Sequence, residues 1–417
     1  MKALEVEKRS RGEDFVNRRN YITLLFRRGL SSFFNGLSQQ YVDLYAVNLG
    51  LTISSLGGVR SLALFSSAIL SSAIGYVADL MSRKTAYVIG MVIEVLSAAS
   101  FALARDWSLA SLGFILGIVS FNALSSLEAL LLTESTRGSH RAFSIGISDS
   151  LSMLALVISP LAAAYLVNYF GGLNREGIRP LFMIQLSGLA MTLVVTSLAL
   201  KEHAHRGSRQ SLGSTLKDSV MIFRRPWLRR WLLIEILGRY VFATSMPYQI
   251  IYAVRVKGAN EFIIGYMGFA ANLGTLISSP IIGHLADRLG RVKTILILRP
   301  LLYASLLTFL LAPSPEYLIL SWLLWGIWMA SRTPFQALTM ELVPTDVRGR
   351  WIGVRNFLSL MMGIPAPWLG GMMYENLFPE APFLLSLGID ALLRYPLIYM
   401  TPETLNRKEY LEKYARG

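Results

Sequence analysis

The sequence predicts an all-α integral membrane protein with twelve transmembrane helices in two six-helix bundles, on three observations. Hydrophobic residues make up 53% of the 417 and charged residues only 16%, with a mean hydropathy of +0.47. A soluble domain carries about a quarter charged residues, so most helix faces in this chain do not meet water. Apolar runs of about 20 residues, long enough to cross the hydrocarbon core as helices, recur along the whole chain. The chain also repeats itself across one central polar interruption.

The runs fall at 29–48, 56–78, 85–105, 107–133, 143–170, 180–200, 231–254, 262–286, 293–312, 316–341, 353–374 and 382–400. Arg105-Asp106 separates the closely spaced third and fourth. Residues 1–28 are predicted to be a retained cytoplasmic lead-in, because Arg27 and Arg28 interrupt the first apolar run and a cleavable signal needs an unbroken one. Residues 29–200 form the first six-helix bundle and 231–400 the second. The stretch 201–230, with eight basic residues and a segment at Thr215–Phe223 that can lie as a short amphipathic helix, is the cytoplasmic linker, and 401–417 a cytoplasmic tail.

Orientation follows from charge. Lys and Arg collect on the cytoplasmic side of membrane proteins. With both termini inside, 29 of the 40 basic residues fall in cytoplasmic segments and 5 in outer loops (Arg105, Arg175, Arg179, Arg255, Lys257). The net charge of +14 is thus an orientation signal facing anionic lipid headgroups, not a nucleic-acid footprint. The expected location is the cytoplasmic membrane, as a multi-pass monomer. Cysteine is absent and the four histidines lie between or at the edges of apolar runs, which removes thiolate chemistry and leaves no intramembrane metal cage. No cofactor is expected.

The repeat holds to an offset of 207–208 residues. Gly75-Tyr-Val-Ala-Asp79-Leu-Met-Ser-Arg83-Lys84 returns as Gly283-His-Leu-Ala-Asp287-Arg288-Leu-Gly290-Arg291-Val-Lys293, shifted by 208. Glu134 precedes Arg141 and Gly146 by the same spacings at which Glu341 precedes Arg348 and Gly353, and Pro160 matches Pro367. Duplicated halves are a transporter signature, with the substrate site between the repeats near the midplane. The loop pattern resembles the signature of the major facilitator superfamily, nearest to its drug:proton antiporter-like members. The second copy matches nearly in full; the first has Leu80 for a basic residue and Ser82 for a glycine. In physical terms Gly75 and Gly283 permit close helix approach. Asp79, Arg83, Lys84, Glu134 and Arg141, with Asp287, Arg288, Gly290, Arg291, Glu341 and Arg348, form an Asp–Arg–Glu cluster per half that can latch the cytoplasmic ends.

Ionisable residues inside spans are costly and mark function. Ser31, Asn35, Gln39 and Asp43 recur every four residues, one helical face that is expected to line a cavity. Asp43 and Arg60 are predicted at similar depth and can pair. Glu128, near Asn122, is matched in depth with Arg332, and an ion pair between them would close the cavity on the inside, with Asp149 and Arg355 adding to it. Glu235/Arg239 and Asp390/Arg394 are i,i+4 pairs; Arg239 is followed by Tyr240, with Tyr248 and Gln249 further out, which leaves a cavity role open there. Glu94 and Arg299 read as packing residues. Trp322, Trp325 and Trp328 descend towards Arg332, so rings beside a guanidinium can hold an organic substrate.

No G-x-x-x-x-G-K-[ST] phosphate loop occurs, which argues against ATP-driven transport, and no catalytic residue is predicted. The expected function is secondary transport of a small organic solute by alternating access, coupled to protons through a span carboxylate and directed outwards. The alternative is uptake of an organic anion through the same fold, motivated by Arg60, Arg239 and Arg332. An integral membrane enzyme ranks last, because it needs clustered Asp or His at one face. The fifth span carries Ser159-Pro160-Leu-Ala-Ala-Ala164 where drug exporters have a glycine-rich signature, so export is only weakly favoured over uptake.

Overall fold

The computed structural model describes residues 16–80, 82–136, 141–202, 226–343 and 348–405, except for the side chains of 71–80, 141–142, 226 and 348–350. Gly75, Asp79, Arg141 and Arg348 of the loop signatures therefore lie outside the described side chains, and the 203–225 portion of the linker outside the described residues. The described chain is helical: α1 Arg18–Gln39, α2 Val42–Asn48, α3 Ile53–Leu80, α4 Arg83–Ala102, α5 Trp107–Ser135, α6 Arg141–Tyr169, α7 Arg175–Ala199, α8 Pro226–Ser245, α9 Gln249–Arg255, α10 Glu261–Leu289, α11 Arg291–Leu311, α12 Tyr317–Met329, α13 Arg332–Glu341, α14 Arg348–Gly363, α15 Pro365–Asn376, α16 Ala381–Ile389 and α17 Tyr395–Tyr399. Seven of these helices, and the stretch Ala381–Tyr399 that runs from α16 through α17, are long and apolar enough to cross a membrane. The remaining predicted runs coincide with helices that are broken or carry charge.

The starts and breaks have local causes. Asp106 accepts from the Ser108 amide at 2.9 Å and from its hydroxyl, satisfying orphan donors at the start of α5; these bonds hold its carboxyl below the usual range. Asn17, Ser82, Asn174 and Asn260 cap α1, α4, α7 and α10 in the same way. Pro247 sits in the 3₁₀ turn between α8 and α9, and Pro365 opens α15; each lacks the amide that would continue the ladder. Pro396 removes the bond to the carbonyl of Leu392, and there the last predicted run takes a π turn over Asp390–Arg394, a geometry that gathers at functional sites.

Contacts group the chain into two units: residues 1–50 with 66–209, and 51–65 with 210–417. The first is built around Tyr21, Leu24, Tyr87, Met91, Leu124, Leu127 and Leu131. The second packs Trp231, Ile295, Leu338, Trp351 and Ile398. Within it the first turns of α3 lie against α15: the Ser54 amide donates to Glu375 at 3.0 Å and the Trp368 amide to Ser61 Oγ at 3.2 Å. Gly57 and Gly371 leave no space there for a side chain. Leu198 (76% exposed), Leu311 (74%) and Leu392 (76%) present bare apolar surface, the face a bilayer covers.

Candidate functional site: two buried charge clusters

Helix α1 begins at Arg18, so Arg27 and Arg28 lie inside it. Hydropathy places the boundary after them because it scores a guanidinium as solvent-facing whatever its partners. Arg27 is 4% exposed and bridges two helices: Nη2 donates to Glu94 Oε2 on α4 at 2.7 Å and Nη1 to Glu128 Oε2 on α5 at 2.5 Å. The Tyr87 hydroxyl donates to the same Glu128 oxygen at 3.2 Å, and the Tyr87 ring lies 5.3 Å from the Arg27 guanidinium. Arg28 reaches Asp149 on α6 at 2.6 Å and stands 3.5 Å from Glu128 Oε1. Asn35 donates to Glu94 at 2.9 Å and accepts from Gln185 on α7 at 2.7 Å; Gln185 accepts from Ser38 at 2.7 Å. Five helices of the first unit thus converge on one network. Three carboxylates share two guanidinium groups in it.

This network corrects several expectations. Glu128 takes its charge partners from Arg27 and Arg28 of its own half rather than from Arg332, and Asp149 from Arg28 rather than from Arg355. Glu94, read as a packing residue, holds one end of the Arg27 bridge. The four-residue stripe is interrupted: the helix tightens to a bond from the Tyr41 amide to the Ser38 carbonyl at 3.0 Å and restarts at Val42, so Asp43 opens a new helix. Gln39 is exposed at the end of α1. Arg60 lies in the third turn of α3. Asn122 donates to Ser67 at 2.5 Å.

The second unit has its own cluster. Asp390, 1% exposed, accepts from Arg299 at 2.6 and 2.5 Å, from Arg394 at 3.1 Å and from Tyr303 at 3.1 Å. The predicted Asp390/Arg394 pair is present, with Arg299 of α11 as an additional partner. Glu235 pairs with Arg355 at 3.2 Å. Arg239 lies against Gly363, with Tyr240 beside it in sequence and half-buried. Trp322, Trp325, Trp328 and Gln249 line one cleft. The guanidinium over the Trp328 ring, at 5.7 Å, belongs to Arg299 and not to Arg332. The helix breaks at Ala330-Ser331, and Arg332 is exposed at the start of α13.

The signature loops are assembled in part. Arg83 contacts Glu134 in the first unit, and Lys84 is half-buried beside it. In the second, Arg291 binds Asp287 at 2.8 Å and Glu341 at 3.1 Å, while Arg288 is exposed and Gly283 has open space around it. Sequence reasoning missed Glu403. Its carboxylate accepts from the amides of Arg291 and Val292 at 2.7 and 3.0 Å, capping α11 from the far end of the chain, and the Thr404 hydroxyl donates to Glu341. Gly290 takes φ +107° against that carboxylate.

Comparison with known proteins agrees with this architecture. The chain is 24% identical over 418 residues to the multidrug resistance protein MdtG of Escherichia fergusonii, covering 96% of this chain and 98% of that one. Its fold is similar to that of a D-xylose–proton symporter (TM-score 0.72, 16% identity, 92% and 98% coverage). It is also similar to that of the human organic anion transporter MFSD10 (TM-score 0.61, 17% identity, 91% and 99% coverage). The sequence matches the Major Facilitator Superfamily over residues 24–254 and again over 232–409. The chain belongs to the Major Facilitator Superfamily and is a membrane transporter, not an enzyme.

Proposed function

We propose that the protein exports a small amphipathic organic solute across the cytoplasmic membrane in exchange for protons. The observation that carries this reading is the Arg27 network, where Glu94, Glu128 and Asp149 share Arg27 and Arg28 as their cationic partners among the described residues. Asp149 is exposed and Arg28 half-buried, so the enclosed set is Arg27 with Glu94 and Glu128. Two carboxylates on one buried guanidinium give it a place for a single proton, and burial makes net charge there costly. Loading that proton neutralises the set; releasing it restores a charge that only a rearranged or hydrated network tolerates. Glu94 and Glu128 thereby take precedence over Asp43 as the coupling groups. The likeness to a multidrug resistance protein supports an amphipathic solute and outward direction. Both termini and the linker are cytoplasmic in this reading, with the Asp287–Arg291–Glu341 cluster at the cytoplasmic surface, where it slows or permits interconversion of states.

Proton release on substrate binding tests the exchange. Purified protein in weakly buffered detergent solution is titrated with compounds that raise its unfolding temperature, and the pH is followed. Exchange predicts that a binding compound releases protons from the wild type and none from Glu94→Gln/Glu128→Gln. Binding without any proton release from the wild type would overturn it.

A further inference from the structure

Within the second unit α8 packs on α16 and α11 on α12, and an open cleft separates these two pairs. Counted to its mouth, open solvent included, its empty space is ≈ 630 Å³. Phe242, Tyr303, Phe309, Trp322, Trp325 and Trp328 wall it, and Asp390 and Arg394 stand at one end.

We propose that this cleft binds a planar aromatic organic anion, its rings among the tryptophans and its anionic group towards the Trp328 indole N–H. Three observations carry the assignment. First, among the described residues Asp390 is the only acidic one lining the cleft, and it is committed to Arg299, Arg394 and Tyr303. Two guanidinium groups against one carboxylate leave the end of the cleft with a surplus positive charge, which repels a cation and attracts an anion. Second, Trp328 is 5% exposed and its Nε1–H has no hydrogen-bond partner among the described residues, nor has the buried Nε of Arg299 behind it. Buried donors without partners are rare and costly in folded proteins; Trp328 lines the cleft, and a ligand acceptor that reaches its enclosed N–H relieves that cost. Third, the faces of Trp328 are occupied by Phe242, stacked at 5.8 Å, and by the Arg299 guanidinium at 5.7 Å. Its contribution to a ligand is therefore its edge, while Trp322 and Trp325, 6.0 Å apart, offer surface for the rings.

The role of the cleft as a substrate site rests on the transporter reading, but its chemistry is independent of the Glu94–Arg27–Glu128 network. Calorimetric titration of the purified wild-type protein with 1-naphthoate and with its cationic counterpart 1-naphthylmethylammonium tests it. The anion is expected to bind at least tenfold more tightly than the cation. Trp328→Phe keeps an aromatic ring and removes the N–H, and is expected to weaken naphthoate about tenfold at an unchanged unfolding temperature. Trp325→Ala weakens both compounds by loss of ring surface. Equal or tighter binding of the cation, no binding of naphthoate, or an unchanged affinity in Trp328→Phe overturns the proposal. A failure here with proton release intact removes the cleft and leaves proton exchange standing; the reverse outcome removes exchange and leaves the cleft.

Discussion

Arg27 carries more consequence than any other single side chain in the first unit. It neutralises parts of two carboxylates on different helices, and both lose their main partner if it is removed. Breaking a buried pair by deleting one partner costs about 3–5 kcal/mol, because the remaining charge stays buried. Arg27→Met is therefore expected to lower the thermal unfolding temperature sharply in detergent. Adding Glu94→Gln and Glu128→Gln to that variant is expected to restore most of the loss, since no orphaned carboxylate then remains beside the substituted side chain. A full-strength destabilisation in the triple variant would mean that shape, not charge, dominates the site. Glu128 is legible in the sequence as a charge in a span, but its partner is not. Arg27 and Arg28 look like the edge of the membrane because no local sequence feature distinguishes a snorkelling guanidinium from one that meets two carboxylates from other helices.

Among the elements, the helices themselves are the most legible feature: each predicted apolar run has a helical counterpart. Their interruptions are less so. The turn at Met246–Tyr248 follows from Pro247 and the π turn at Asp390–Arg394 from Pro396. The restart at Val42 has no proline or glycine to announce it. Nor can spacing reveal Glu403, whose cap on α11 joins residues more than a hundred positions apart. That cap ties the chain after the last span to the loop signature of the second half. Glu403→Ala leaves the first amides of α11 without their acceptor, and loss of an N-terminal cap costs about 0.5–2 kcal/mol. Gly290→Ala adds a side chain that meets Glu403 at a φ of +107°, so it is expected to destabilise as well. Thermal unfolding of the two single variants and of the double checks the link: effects through one contact sum to less than the parts. The signature itself is expected to govern rate. Asp287→Asn should slow transport with substrate affinity nearly intact, measured as equilibrium binding and initial rate in one preparation. A large loss of affinity at an unchanged maximal rate would count against the latch.

For the whole molecule, the halves and their repeat are readable from three landmarks at offsets of 207–208 residues, and the family matches twice, over 24–254 and 232–409. The duplicated scaffold carries different chemistry in its two copies: a surplus of carboxylate around Arg27 in the first, a surplus of guanidinium around Asp390 in the second. Orientation rests on the basic asymmetry of the loops. Single cysteines placed at Ser208 and Asn174 are expected to react with an impermeant thiol reagent in intact cells at 174 and not at 208; the opposite pattern would invert the topology. The central claim is that the Arg27 network couples solute movement to protons. Its most direct test is reconstituted vesicles with a labelled solute, comparing the wild type with Glu94→Gln/Glu128→Gln. Coupling through this network predicts that the variant loses accumulation driven by an imposed pH gradient, yet still exchanges solute across vesicles without a gradient. Accumulation by the variant at the wild-type level under the same gradient would contradict it.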